Sequence, residues 1–177
     1  MLRIKNFNLL VSTSRFNERN AKAELWFLLL INGDQYPIIS NLKFLGLITA
    51  MTSLKARIMI KAIKDLLQKY PDFFQYILKI VPIDLVCETN TKLISQMVKN
   101  NYRNYIKKEE TFKIELKRRK NELIERDTLI ESAAKEVENR VDLDNPDKII
   151  RIEVLGNFTG IAFIKPEDVI RVGKIKT

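Results

Sequence analysis

Between Phe112 and Leu116 every second residue is apolar: Phe112, Ile114 and Leu116 alternate with Lys113 and Glu115. That period is the signature of a strand with one buried face, and no helix satisfies it. The strand runs on into Lys117-Arg118-Arg119-Lys120, so a rigid element carries four adjacent cations to one edge of a domain. Such a cluster suits a row of phosphates better than a single small anion. By alternation Lys113 and Lys117 share a face. Arg118 points the other way if the strand continues, so the four cations converge only if the strand stops near Lys117.

Charge concentrates around this strand. The 177 residues contain 31 Lys and Arg against 22 Asp and Glu, a formal charge of +9. From Lys99 to Lys120 there are nine basic and three acidic residues, about two-thirds of that excess. A polyanion is the expected partner, with nucleic acid ahead of anionic lipid. Lys99, Arg103 and Lys107 recur at i, i+4, i+8 and form one basic stripe on a helix. Tyr102 and Tyr105 lie beside it. They either stack on unpaired bases or, as we favour, cover the edge of the core. The candidate RNA-binding residues are therefore Lys99, Arg103, Lys107, Lys113, Lys117, Arg118, Arg119 and Lys120.

Other chemistries find little support. The chain has no histidine, which removes the commonest general base and metal ligand. Cys87 is the only cysteine, so neither an internal disulfide nor a Cys/His zinc site is possible. Asp142, Asp144, Asn145 and Asp147 resemble a Ca²⁺ loop only superficially, since the glycine and distal Glu are missing and Pro146 interrupts them. They read as a structural turn. No nucleotide-binding glycine loop, no nucleophile beside a base and no paired carboxylates are evident. No metal, no cofactor and no catalytic site are expected. Ser12-Thr13-Ser14-Arg15 precedes a helix and either holds a phosphate or simply caps that helix. Residues 1–11 mix Arg3 and Lys5 with apolar residues and show no signal peptide. Leu25–Ile31 is too short to span a membrane. A soluble cytoplasmic protein is expected.

The remaining patterns organise the chain. Strands are predicted over Phe7–Val11, Pro37–Ser40, Gly46–Thr52 and Ile77–Cys87, the last interrupted by Pro82. Helices are predicted over Glu18–Ile31 and Lys55–Tyr70. The second of these carries stripes of Ile58, Ala62, Leu66 and of Met59, Ile63, Leu67. That order is β-α-β-β-α-β, the ferredoxin-like arrangement. A helix over Thr91–Ile106 follows, then the strand Phe112–Arg119. A helix over Thr128–Arg140 opens with Thr128 and Glu131 at capping-box spacing. Strands over Lys148–Leu155 and Thr159–Ile164 come next, then a basic tail from Pro166 with a short strand at Val169–Val172.

The segments Glu110–Arg118, Val141–Asp147 and Ile152–Gly160 resemble, in order and spacing, the THUMP domain of RNA-modifying enzymes. The resemblance covers about residues 90–172, and the opening Leu10–Glu18 is similar to archaeal stand-alone THUMP proteins. It implies an α+β chain in two parts: a ferredoxin-like domain over 1–89 packed on a THUMP domain over 90–177 (α-β-α-β-β). It also implies recognition of the tRNA acceptor end through Lys117–Arg119, with chemistry done by a separate domain for which 177 residues leave no room. The stand-alone branch is related to the eukaryotic adaptor for 4-acetylcytidine formation, so the implied partners are tRNA and an acetyltransferase acting in trans. The alternatives are an RNA-binding subunit of a split tRNA methyltransferase or thiolation enzyme, and a basic protein-interaction module.

Overall fold

The computed structural model describes residues 6–173. Arg3 and Lys5, and the end of the basic tail from Lys174, lie outside the described residues. The chain divides into two compact units.

The first unit contains β1 (Leu9–Thr13), α1 (Glu18–Ile31), β2 (Ile38–Asn41), β3 (Leu47–Met51), α2 (Ala56–Lys69) and β4 (Ile77–Pro82). Its sheet runs β2-β3-β1-β4, every neighbouring pair antiparallel. The two helices bury Leu25, Leu28 and Leu29, and Met59, Ile60, Ile63 and Leu67, against Leu9, Val11, Ile48 and Ile80. Of the two stripes predicted on α2, the one through Met59, Ile63 and Leu67 forms the core, while Ile58 is 64% exposed. β1 starts and ends two residues later than expected. Ser12 and Thr13 do not break it, because Thr13 stays in the ladder and its hydroxyl donates to the Tyr76 carbonyl at 2.7 Å.

Pro82 ends β4, and the predicted strand Ile77–Cys87 is in fact two strands in two sheets. Proline has no N–H to continue a ladder. The next strand, β5 (Leu85–Glu88), pairs with a partner 70 or more residues away. It belongs to the second unit, which spans Ile83–Glu167. Residues 168–173 belong to the first unit. The boundaries of these units fall after Pro82 and after Glu167, beside the expected one after residue 89.

The second unit continues with α3 (Thr91–Asn101), closed by a single 3₁₀ turn at Tyr102–Asn104. Then come β6 (Phe112–Arg119), α4 (Arg126–Ala134), β7 (Lys148–Leu155) and β8 (Phe158–Ile164). The sheet order is β5-β8-β7-β6, with β6 and β7 parallel and the other pairs antiparallel. One face packs Phe112, Leu116, Ile150, Ile152, Val154, Ile161 and Phe163 against Ile94, Val98, Leu129 and Ala133 of the helices. The Ser95 and Ser132 hydroxyls, 2.7 Å apart, join α3 to α4.

α4 does not begin with the expected Thr128–Glu131 capping box. Glu125 is its N-cap, accepting from the amides of Asp127 and Thr128 and from the Thr128 hydroxyl. Nor does it reach Arg140. Its last turn tightens as Glu136 and Val137 donate to the third residue before them, and Val137 is still buried. The last strand, β9 (Ile170–Arg171), pairs with β4 at the edge of the first sheet. No helix among the described residues is long and apolar enough to cross a membrane.

Candidate nucleic-acid interface

β6 is the edge strand of its sheet, bonded along its length to β7 and on the other side only through a bridge of Phe112 to Val141. Its alternation sends Phe112 and Leu116 into the core and Lys113, Glu115, Lys117 and Arg119 to the opposite face. There the parallel register sets Glu115 beside Arg151 and Lys117 beside Glu153.

A chain of alternating charges results. Lys113 Nζ lies 3.2 Å from Glu115 Oε1. Glu115 Oε2 lies 2.9 Å from an Arg151 guanidinium nitrogen. Arg151 Nε donates to Glu153 Oε1 at 2.7 Å, and Glu153 Oε2 meets Arg119 at 3.2 Å. The side chains of Arg151 and Glu153 are each 1% exposed. A charge pair this deep persists only when hydrogen-bonded on both sides, which this chain achieves. It ends at Arg119, so that cation is held by a buried carboxylate rather than left to sweep through solvent.

The four cations at the strand end do not share a face. The strand continues through Arg119, and Lys120 then turns the chain at φ +49°. Lys117 projects into solvent with no ion pair or side-chain hydrogen bond. Arg118 points the other way and donates to the Ile124 carbonyl, close to the Glu125 carboxylate. Arg118 is thus a brace for the loop between β6 and α4. Two further contacts tie that loop down: Asn121 Nδ2 donates to the Gly156 carbonyl at 3.0 Å, and Arg126 to the Leu116 carbonyl at 3.2 Å.

The expected helical stripe does not form as one, because Lys99 lies in α3, Arg103 in the 3₁₀ turn and Lys107 beyond both; ion pairs engage the first two. Lys99 sits 3.0 Å from Glu136, and Arg103 sits 2.9 Å from Glu138 while lying over the Tyr102 ring at 5.4 Å. The Arg103 pair is solvent-exposed and the Lys99 pair half-exposed, so a phosphate competes with the carboxylates at little cost. Lys107 and its neighbour Lys108 are exposed and unpaired. The turn carrying them is clamped by Asn139, whose side-chain amide donates to the carbonyls of Lys107 and Glu110. The tyrosines serve the core edge: Tyr102 is buried, and Tyr105 stacks on Phe163 at 4.8 Å.

The acidic segment is a structural turn. Asp142 accepts from the Asp144 and Asn145 amides. Asp147 accepts from the Thr111 amide and hydroxyl, which hold its carboxyl below the usual range. The same bonds fix the start of β6 beside β7. Sequence reasoning missed Glu115, Arg151 and Glu153. Their signal was two charges, at Arg151 and Glu153, inside the otherwise apolar Ile149–Leu155.

Residues 88–163, which include α3 to α4, the charge chain and nearly all of the sheet, match the family model of the THUMP domain. That match lies within the second unit. The fold of the chain is also found in solved structures. PH1313 from Pyrococcus horikoshii OT3 has a TM-score of 0.66 and 16% identity over 95% of this chain and 56% of its own. TrmN from Thermus thermophilus has a TM-score of 0.60 and 10% identity over 90% of this chain and 46% of its own. A 4-thiouridine synthetase, crystallised with RNA and ATP, has a TM-score of 0.56 and 14% identity over 94% and 42%. This chain thus spans about half the length of these proteins or less. No curated protein sequence matches it.

Proposed function

We propose that this protein is a non-catalytic tRNA-binding adaptor. It holds the acceptor end and presents the tRNA to a modification enzyme acting in trans, an acetyltransferase forming 4-acetylcytidine. The observation that carries this reading is the THUMP domain over residues 88–163, with cations presented at the end of β6. The 4-thiouridine synthetase that shares the fold was crystallised with RNA, which supports RNA as the ligand class. The first unit fits a ferredoxin-like partner domain: the order β2-β3-β1-β4 with all pairs antiparallel is what a β-α-β-β-α-β chain of that kind forms.

In this reading Lys107, Lys117 and Arg119 neutralise phosphates. Lys99 and Arg103 exchange their exposed carboxylate partners for RNA, and Arg118 shapes the loop beside the site. The test is binding of tRNA with and without its terminal single-stranded acceptor nucleotides, across a salt series. Tight, salt-sensitive binding that is lost on trimming is expected. Binding indifferent to trimming removes the acceptor-end assignment, and absence of binding removes the RNA reading. Adding the protein to a cytidine acetyltransferase and tRNA then tests the adaptor role directly, through 4-acetylcytidine formed only when all three are present.

A further inference from the structure

The loop between β1 and α1 carries an exposed aromatic ring that the fold does not use. Phe16 is 81% exposed and makes no ring contact. Its φ of +69° is a conformation that bulky residues rarely adopt. A residue that is both strained and unpacked does nothing for the core of the unit it belongs to.

The loop between β2 and β3 lies against it. The Thr13 amide donates to the Gly46 carbonyl at 2.9 Å, and the Gly46 amide donates to Glu18 Oε1 at 2.6 Å. A Cβ on Gly46 would come within 2.7 Å of the Thr13 carbonyl oxygen, so the approach is as close as two backbones allow. Leu45, the residue before Gly46, is itself 57% exposed. These two loops and the first turn of α1 also carry Arg15, Arg19 and Lys43, all exposed and all without an ion pair or side-chain hydrogen bond. Glu18, the carboxylate at this corner, is occupied by the Gly46 amide.

We propose that this corner of the first unit is a second RNA contact. The Phe16 ring stacks on an unpaired base, and Arg15, Arg19 and Lys43 meet the phosphates on either side of it. Three unpaired cations on the segments that carry or adjoin an exposed ring are the composition that single-stranded nucleic acid selects, because every base offers a π-face and every linkage a charge. A protein partner for the same ring would have to supply acidic groups for three cations as well. The proposal rests on the RNA-binding reading above, but it concerns a surface on the other unit.

The experiment measures the affinity of the full chain for unfractionated tRNA, with thermal unfolding of each variant in parallel. Phe16→Gly removes the ring and relieves the positive φ, so its unfolding temperature should equal or exceed that of the wild type. Its affinity should fall about tenfold, while Phe16→Tyr keeps the ring and the affinity. Arg15→Ala with Arg19→Ala and Lys43→Ala should reduce the salt dependence, log K against log salt, by a slope of about 2. Wild-type affinity in Phe16→Gly, or an unchanged slope in the charge variant, overturns this contact. If Lys117→Glu weakens binding in the same assay, the RNA reading itself still stands. No binding by the wild-type chain overturns both.

Discussion

Arg119 lies 3.2 Å from Glu153, a carboxylate that is buried and that also holds Arg151. A surface cation at the end of an edge strand is thereby anchored to the interior of its sheet. Removing Glu153 would free Arg119 and leave Arg151 buried with Glu115 as its one remaining carboxylate. Glu153→Ala should cost about 3–5 kcal/mol of stability by urea unfolding, the penalty for stranding a buried charge. Replacing Arg151 and Glu153 together by Met and Leu should cost much less.

Lys117 and Arg118 are neighbours with opposite duties. Lys117→Ala should weaken tRNA binding without changing stability, and reduce the salt slope by about 1. Arg118→Ala should loosen the loop before α4 and cost about 1–2 kcal/mol through the lost hydrogen bond to a carbonyl. Binding isotherms and urea unfolding of the two single variants separate the roles.

Asp147 ties stability to pH. Because the Thr111 amide and hydroxyl lower its carboxyl in the folded state, its contribution is complete above the ordinary aspartate range. It is lost as pH falls through the lowered folded value. Asp147→Asn should therefore reduce the urea midpoint at about pH 7, and the gap from the wild type should shrink by about pH 3.

Cys87 should be a slow thiol. Partial burial, with the Glu88 charge adding to it, pushes it up to about 11. Alkylation of the native protein by iodoacetamide near neutral pH should run on the order of a hundredfold slower than for a free cysteine. It should recover in denaturant, as followed by mass spectrometry.

Glu24 joins α1 to the start of β4, its carboxylate accepting from the amides of Gln75, Tyr76 and Ile77 at 2.7–3.2 Å. Glu24→Ala leaves these donors without that acceptor and should cost about 1–3 kcal/mol. Hydrogen exchange should then accelerate first at Gln75–Ile77.

Elements whose signal is local could be read from the order of residues. The period of two in Phe112–Arg119, and the apolar face of Glu18–Ile31 ended by Asn32-Gly33, place β6 and α1 at the residues observed. The THUMP resemblance and the cationic end of β6 were legible for the same reason. The acidic turn was too, since an Asp that bonds the amides two and three residues on needs no distant partner. Tertiary structure alone decided what depends on pairing between distant segments. The parallel register of β6 on β7 sets Glu115 beside Arg151 and makes a charge chain from residues 30 or more apart. Pairing with β8 sends Leu85–Glu88 to a different sheet from Ile77–Pro82, and pairing with β4 returns Ile170–Arg171 to the first unit. A run of four cations is plain in the sequence. That Arg119 is anchored, Arg118 bonded to the loop before α4 and Lys117 left in solvent follows from which backbone groups and carboxylates the fold brings within hydrogen-bond reach.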